Sequence, residues 1–170
     1  MKEVFTNYPH RTAITRRGMC PISSPLRYIL NMGLIPLISK TNGVVIADSI
    51  STTNVLDFGC GRGQDADYLR LFGYYVAKYD PYYFDHEYTE KFDFVLCTYV
   101  LNVLPLAEET GVIDKAKSYL KQGGTLYISV RNGKFKEGET SRGTYQRKVD
   151  LPCLLIKKNS SYKIYEIKNN

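Results

Sequence analysis

Apolar residues in this chain fall in short runs between polar, glycine-bounded stretches, and their spacing switches between two periods. "NVLDFG" (54–59) is a compact run that stops at glycine, as a buried strand does. In "GQDADYLRLFG" (63–73), Ala66 and Leu69 recur at helical spacing with Leu71 or Phe72 behind them, and Gly73 is placed to end the helix. "YYVAKYD" (74–80) and "FDFVLCT" (92–98) predict a second and a third strand, "LAEETGVIDKAKSYLKQGG" (106–124) a helix ending at its glycines, and "TLYISV" (125–130) a fourth strand. "PCLLIKK" and "SYKIYEIK" flank Asn159-Ser160 and predict an antiparallel hairpin. Ahead of the first strand, "SPLRYILNMGL" (24–34) reads as a helix capped by Ser24, with Pro25 in its first turn. Strands that alternate with helices predict an α/β fold on a mostly parallel sheet.

Length fits one domain: 170 residues suffice for a sizeable core, and 44% hydrophobic with 24% charged residues is ordinary globular composition. Residues 1–50 are read as an N-terminal cap segment, 54–130 as the core, and 131–170 as a basic loop with a closing hairpin. Apolar runs all fall short of a membrane span, and "MKEVFTNYPHRT" lacks the apolar centre of a signal peptide, so a cytoplasmic protein is expected. Cys20, Cys60, Cys97 and Cys153 are widely spaced and form no C-x-x-C pair; neither disulfide nor metal is expected.

Charge sharpens the picture once it is divided along the chain. Residues 1–40 carry six Lys/Arg against one acid, 131–170 ten against four, and 41–130 seven against twelve. Basic flanks of this kind are either a solvated surface or a footprint for an anionic partner such as nucleic acid, while the acidic centre suits a cationic ligand.

Chemistry concentrates in "VLDFGCGRGQD" (55–65), where glycines stand at 59, 61 and 63. In an open parallel sheet, ligands bind beyond the carboxyl ends of the strands, and glycine lets the first strand-to-helix turn adopt positive φ and approach a ligand closely. The spacing D-x-G-x-G-x-G is not the dinucleotide G-x-G-x-x-G, and Asp80 falls at the end of the next strand, where a carboxylate can accept ribose hydroxyls. The turn alone is also compatible with a tight bend and nothing more.

"VLDFGCGRGQD", "YD" (79–80), "FDFVLCTYVLNVLP" (92–105) and "KQGGTLYISV" (121–130) resemble, in order, the motif series of class I S-adenosylmethionine-dependent methyltransferases. A closer resemblance is to the methyltransferases associated with DNA phosphorothioation, through "RTAI-x-R" (11–16), "DPYY" (80–83), "YVLNV" (99–103) and "TSRGTYQ" (140–146). It covers nearly the whole chain, which is short for that family. The resemblance implies a Rossmann-like class I sheet, with the C-terminal strands antiparallel. The stretch between Asp80 and Phe92 is too short for the usual helix, strand and helix, so that edge is expected to shrink to a loop.

Carried over by residue, the resemblance implies S-adenosylmethionine as cofactor, Asp57 at the foot of the loop, and Gly59, Cys60, Gly61 and Gly63 along the methionine part. It further puts Asp80 on the ribose with Pro81 beside it, and Thr98 to Asn102 facing the sulfonium and acceptor. Asp65 is either a contact to the cofactor's charged end or a complement to the helix dipole. Tyr82 or Tyr83 either flanks the adenine or packs on the surface. Tyr99 and Asn102 are the candidate catalytic, acceptor-positioning pair, since an aromatic ring stacks and an amide both donates and accepts; packing and helix capping are the plainer alternatives. Arg16, Arg17, Arg142 and Arg147 are candidate substrate-binding residues on a basic rim. "DHE" (85–87) is read as a solvated loop. Methyl transfer to DNA or RNA is the expectation; a small-molecule or nucleotide methyltransferase, or a non-catalytic partner subunit that binds the cofactor, are the alternatives.

Overall fold

A computed structural model describes residues 22–36, 40–41, 44–45, 53–140 and 144–170. Helix α1 is Ser24–Asn31. Strands β1 (Lys40–Thr41) and β2 (Val44–Val45) form a short antiparallel ladder. The principal sheet follows, with β3 Asn54–Phe58, α2 Gln64–Leu71, β4 Tyr75–Tyr79, β5 Phe92–Thr98, α3 Glu109–Ser118 and β6 Leu120–Arg131. Strands β7 (Gly138–Glu139) and β8 (Tyr145–Gln146) pair with each other, and β9 (Leu154–Lys158) and β10 (Tyr162–Lys168) close the chain.

The six-stranded sheet has the order β4-β3-β5-β6-β10-β9. Its first four strands are parallel, and β10 runs antiparallel between β6 and β9. Successive strand residues point to opposite faces, so each strand feeds two cores. Leu56, Val95, Leu126 and Ile128 pack with Val112 and Ala116 of α3. Val55, Leu96, Tyr127 and Ile164 pack on the other face with Leu26 and Ile29 of α1 and Ala66 and Leu69 of α2. Truncating a fully covered residue such as Leu96 or Leu126 to alanine leaves a cavity and costs about 2–5 kcal/mol.

Two local readings are corrected and a third holds. The α1 cap is Ser23, one residue earlier than expected: its hydroxyl accepts the Leu26 N–H at 3.2 Å, which leaves Ser24 and Pro25 inside the first turn. The helix expected over 106–124 is shorter, because a 3₁₀ turn at Leu106–Glu108 precedes α3 and the chain straightens at Leu120. Leu120 to Gly124 joins the sheet instead, where the Asn169 side chain donates to the Leu120 and Lys121 carbonyls and Gly123 N–H reaches the Asn169 carbonyl. The hairpin turns where expected, with the Asn159 carboxamide oxygen accepting the N–H groups of Ser161 and Tyr162 at 2.8 Å.

The edge beyond β4 is reduced to a loop, closed by an Asp80–Phe84 bridge. An open parallel edge would offer unpaired carbonyls to another strand. Here Arg70 donates to the Val76 carbonyl and the Tyr88 hydroxyl to the Lys78 carbonyl, so side chains shield the edge. "DHE" is only partly a solvated loop: Glu87 accepts from Lys115 Nζ at 2.6 Å and from the Tyr119 hydroxyl, which fastens the loop to α3. These two donors hold the Glu87 carboxyl below its ordinary value. Lys115 also reaches the Tyr79 hydroxyl at 2.7 Å, at the end of β4.

Candidate cofactor-binding site

Gly59, Gly61 and Gly63 have φ of 72°, 55° and 78°. Three alternate left-handed residues would be costly for any side chain, which is why glycine stands at every second position. At Gly59 a Cβ would also lie 2.3 Å from Val100 Cγ2, and at Gly63 it would lie 2.6 Å from Lys78 Cε. The turn is therefore shaped by the protein as well as by any ligand. Four of its N–H groups are satisfied within the protein. Gly59 and Cys60 donate to the Tyr79 carbonyl at 2.8 and 3.1 Å, Gly61 to Asp80 and Gly63 to the Cys60 carbonyl, each at 2.9 Å.

Asp80 is 6% exposed and ties the turn to the next loop, accepting N–H groups from Gly61, Tyr82 and Tyr83 at 2.9–3.1 Å. A carboxylate offers about four acceptor sites, so this arrangement leaves room for one ribose hydroxyl without rearrangement, not two. Pro81 begins that loop, half-buried; Tyr82 is exposed, and Arg62 lies 5.9 Å above the Tyr83 ring. Asp65 stands in the first turn of α2, as a complement to the helix dipole does, and also bridges to α1. It is buried and accepts from both the Ser23 N–H (2.9 Å) and the Ser23 hydroxyl (2.6 Å), so it joins the start of α2 to the cap of α1. Sequence reading misses Ser23, although a serine before "SPL" and an acid in the first turn of α2 are both visible.

Asp57 and Asp80 are buried beside Cys60. Burial first, then the charges of these two carboxylates, push the Cys60 thiol above its ordinary value, with Lys78 opposing them. The turn thus sits in a negative field, which fits a cationic sulfonium and opposes a pyrophosphate. Backbone geometry and charge together fit S-adenosylmethionine. Among the described residues no group of three His, Cys, Asp or Glu could hold a metal.

The segment after β5 meets this turn through Val100. Thr98 and Tyr99 are half-buried, and Tyr99 has φ 60°, the one positive-φ residue other than glycine among those described. Asn102 is only 2% exposed. Its Nδ2 donates to Gln146 Oε1 at 3.1 Å and its backbone carbonyl accepts the Arg147 N–H at 2.8 Å, so its amide holds β8 against the site and does not face an acceptor. Arg147 is likewise turned inward: its Nε donates to the Leu104 carbonyl at 2.8 Å and Nη2 to Glu109 at 2.5 Å. That removes it from a basic rim. Arg16, Arg17 and Arg142 lie outside the described residues.

Comparison with known proteins agrees with the geometry. The model of a family described as "Methyltransferase domain" matches residues 28–157. A search of curated proteins found no match. Among solved structures, the 1,6-didemethyltoxoflavin-N1-methyltransferase of Burkholderia thailandensis, crystallised with S-adenosylhomocysteine, is 16% identical with a TM-score of 0.55 over 68% of this chain and 70% of that one. TehB from Haemophilus influenzae is 17% identical, with a TM-score of 0.45 over 73% and 60%. The glycopeptide N-methyltransferase MtfA, solved with S-adenosylmethionine, is 14% identical, with a TM-score of 0.47 over 86% and 76%. The likeness to the first of these shows a Rossmann-like fold shared with methyltransferases. With the family match spanning most of the chain, this protein belongs to the methyltransferase domain family and is an S-adenosylmethionine-dependent enzyme.

Proposed function

We propose that the enzyme transfers its methyl group to a nucleic-acid acceptor inside the cell. One observation carries this reading. Residues 131–140 leave the carboxyl end of β6 and expose Arg131, Lys134 and Lys136, and residues 144–148 expose Lys148 beside the site, where Gln146 is held by Asn102. Cations fastened beside the acceptor side suit a phosphate backbone. The resemblance of "DPYY", "YVLNV" and "TSRGTYQ" to methyltransferases associated with DNA phosphorothioation supports DNA as the form of that acceptor.

When bound, the cofactor supplies an electrophilic methyl carbon on a positively charged sulfur. The chain's own residues have three tasks. The glycine turn fixes position, because alignment of the two reacting groups can contribute most of the acceleration in a displacement of this kind. Asp57 and Asp80 keep the turn electronegative. Thr98 and Tyr99, at the end of β5, orient the acceptor.

A small-molecule acceptor is the second reading, favoured by the inward turn of two cations. Arg147 pairs with Glu109, and Lys163 is buried against Asp150 and the Val149 carbonyl. Incubation with methyl-labelled cofactor and separate pools of DNA, RNA and small metabolites decides between them. Label in DNA or RNA supports the first reading; label confined to metabolites replaces it with the second.

A further inference from the structure

Ser129 of β6 is fully buried, and among the described residues its Oγ has no hydrogen-bond partner. A buried hydroxyl left unpaired carries a desolvation penalty that alanine in the same place would avoid. Its position is specific. Tyr127, two residues earlier, packs with α1, so Ser129 faces the same side of the sheet. It pairs with Thr98 across β5, and its backbone carbonyl accepts the Tyr99 N–H at 2.7 Å. Val100, next in sequence, is the residue against Gly59. The hydroxyl therefore lies near the carboxyl ends of two adjacent strands, β5 and β6.

A second cost falls on the same spot. A tyrosine at φ 60° bears a left-handed backbone that its Cβ disfavours. Strain and unpaired polar groups gather where function requires them. We infer that Ser129 is the hydrogen-bonding floor of an acceptor subsite for an uncharged heteroaromatic ring, and that Tyr99 is the residue that moves to admit it. Ser129 is enclosed, so an incoming ring needs a neighbour at the strand ends to shift, and the Tyr99 backbone relaxes by doing so. The buried cluster on that face includes Leu26, Ile29, Tyr162 and Ile164, an apolar surround that suits a neutral ring better than a phosphate or carboxylate. A serine hydroxyl donates and accepts, so it meets either an amino group or a ring nitrogen. The inference rests on the nucleic-acid reading above for the identity of the ring as a nucleobase.

The test uses Ser129→Ala, adenosine, guanosine, cytidine and thymidine as probes, and saturation-transfer NMR with S-adenosylhomocysteine present. The native enzyme is expected to bind at least one nucleoside and the variant to bind it at least tenfold more weakly, with cofactor affinity within twofold and an equal or higher Tm. Equal nucleoside affinity in the variant, or weaker binding together with a lower Tm, overturns the subsite, as does a native protein that binds none of the four. Failure of the two proposals is distinguishable. If nucleosides bind through Ser129 but no nucleic acid takes label, the subsite stands and the acceptor reading falls. If nucleic acid is labelled and Ser129→Ala transfers at the native rate, the reading stands and the subsite falls.

Discussion

The two turns that follow neighbouring parallel strands solve opposite problems. After β3, Gly59, Gly61 and Gly63 accept left-handed backbone at little cost, and four of the turn's N–H groups are used to fix it against Tyr79, Asp80 and itself. After β5, the left-handed position is a tyrosine, and the polar groups beside it either hold another segment, as at Asn102, or have no partner among the described residues, as at Ser129 Oγ. The first turn is pre-organised, as suits a cofactor that is the same in every cycle. The second carries local strain, as suits an acceptor that must enter and leave. Pre-organisation lowers the cost of binding, while strain leaves room for a change of state.

The largest effect is expected at the knot of the first turn. Asp80→Ala removes the acceptor of three backbone N–H groups and should destabilise the protein by about 3–4 kcal/mol, on the scale of hydrogen bonds to a charged buried group. S-adenosylmethionine affinity should fall at least tenfold with it. Denaturant unfolding and calorimetric titration measure the two; a variant as stable as native would mean that the backbone alone holds the turn.

Arg147→Ala probes the other side. It strips Glu109 of its partner and the Leu104 carbonyl of a donor, for a loss of about 2–3 kcal/mol. Cofactor affinity should not change, because Arg147 supports the 144–148 return and not the glycine turn. A parallel loss of cofactor affinity would merge the two regions into one unit.

This contrast also explains what is legible from sequence. Strand β5 can be read to the residue and the glycine turn to its left-handed backbone, since both rest on local requirements: apolar runs in a buried strand and positive φ in a tight turn. Asn102 and Arg147 read as acceptor residues because their side chains have the right chemistry. Their direction is set by partners 44 and 38 residues away, Gln146 and Glu109, and nothing in local spacing reports those pairings. The role of Asp65 is hidden for the same reason, its partner Ser23 lying 42 residues earlier.

A smaller effect, with a defined pH window, is expected at the shortened edge. The lowered Glu87 carboxyl contributes stability that is fully present above its unfolded value of about 4.3 and is lost as pH falls through the lower folded value. Glu87 is largely exposed, so the contribution is below about 1 kcal/mol. Glu87→Gln should therefore have a lower Tm than native at pH 7, and the gap should close towards pH 3. A gap that persists at low pH would assign the interaction to packing.

The smallest effect on stability is expected from Lys134, Lys136 and Lys148, all exposed. Their joint replacement by serine should leave Tm within a degree or two. The slope of log affinity against log salt for duplex DNA should flatten by about 0.9 for every phosphate that these lysines neutralise in the native complex. An unchanged slope would remove residues 131–148 from the nucleic-acid surface.

Cofactor binding by the glycine turn is tested most directly by calorimetric titration of S-adenosylmethionine into native protein and Gly61→Val, where a branched side chain is forced on a residue at φ 55° beside the Asp80 carboxylate. One site per chain is expected in the native protein and no measurable heat of binding in the variant, whose circular dichroism should retain the native sheet. A folded variant that binds as tightly as native would contradict this role for the turn, and so would a native protein that does not bind the cofactor.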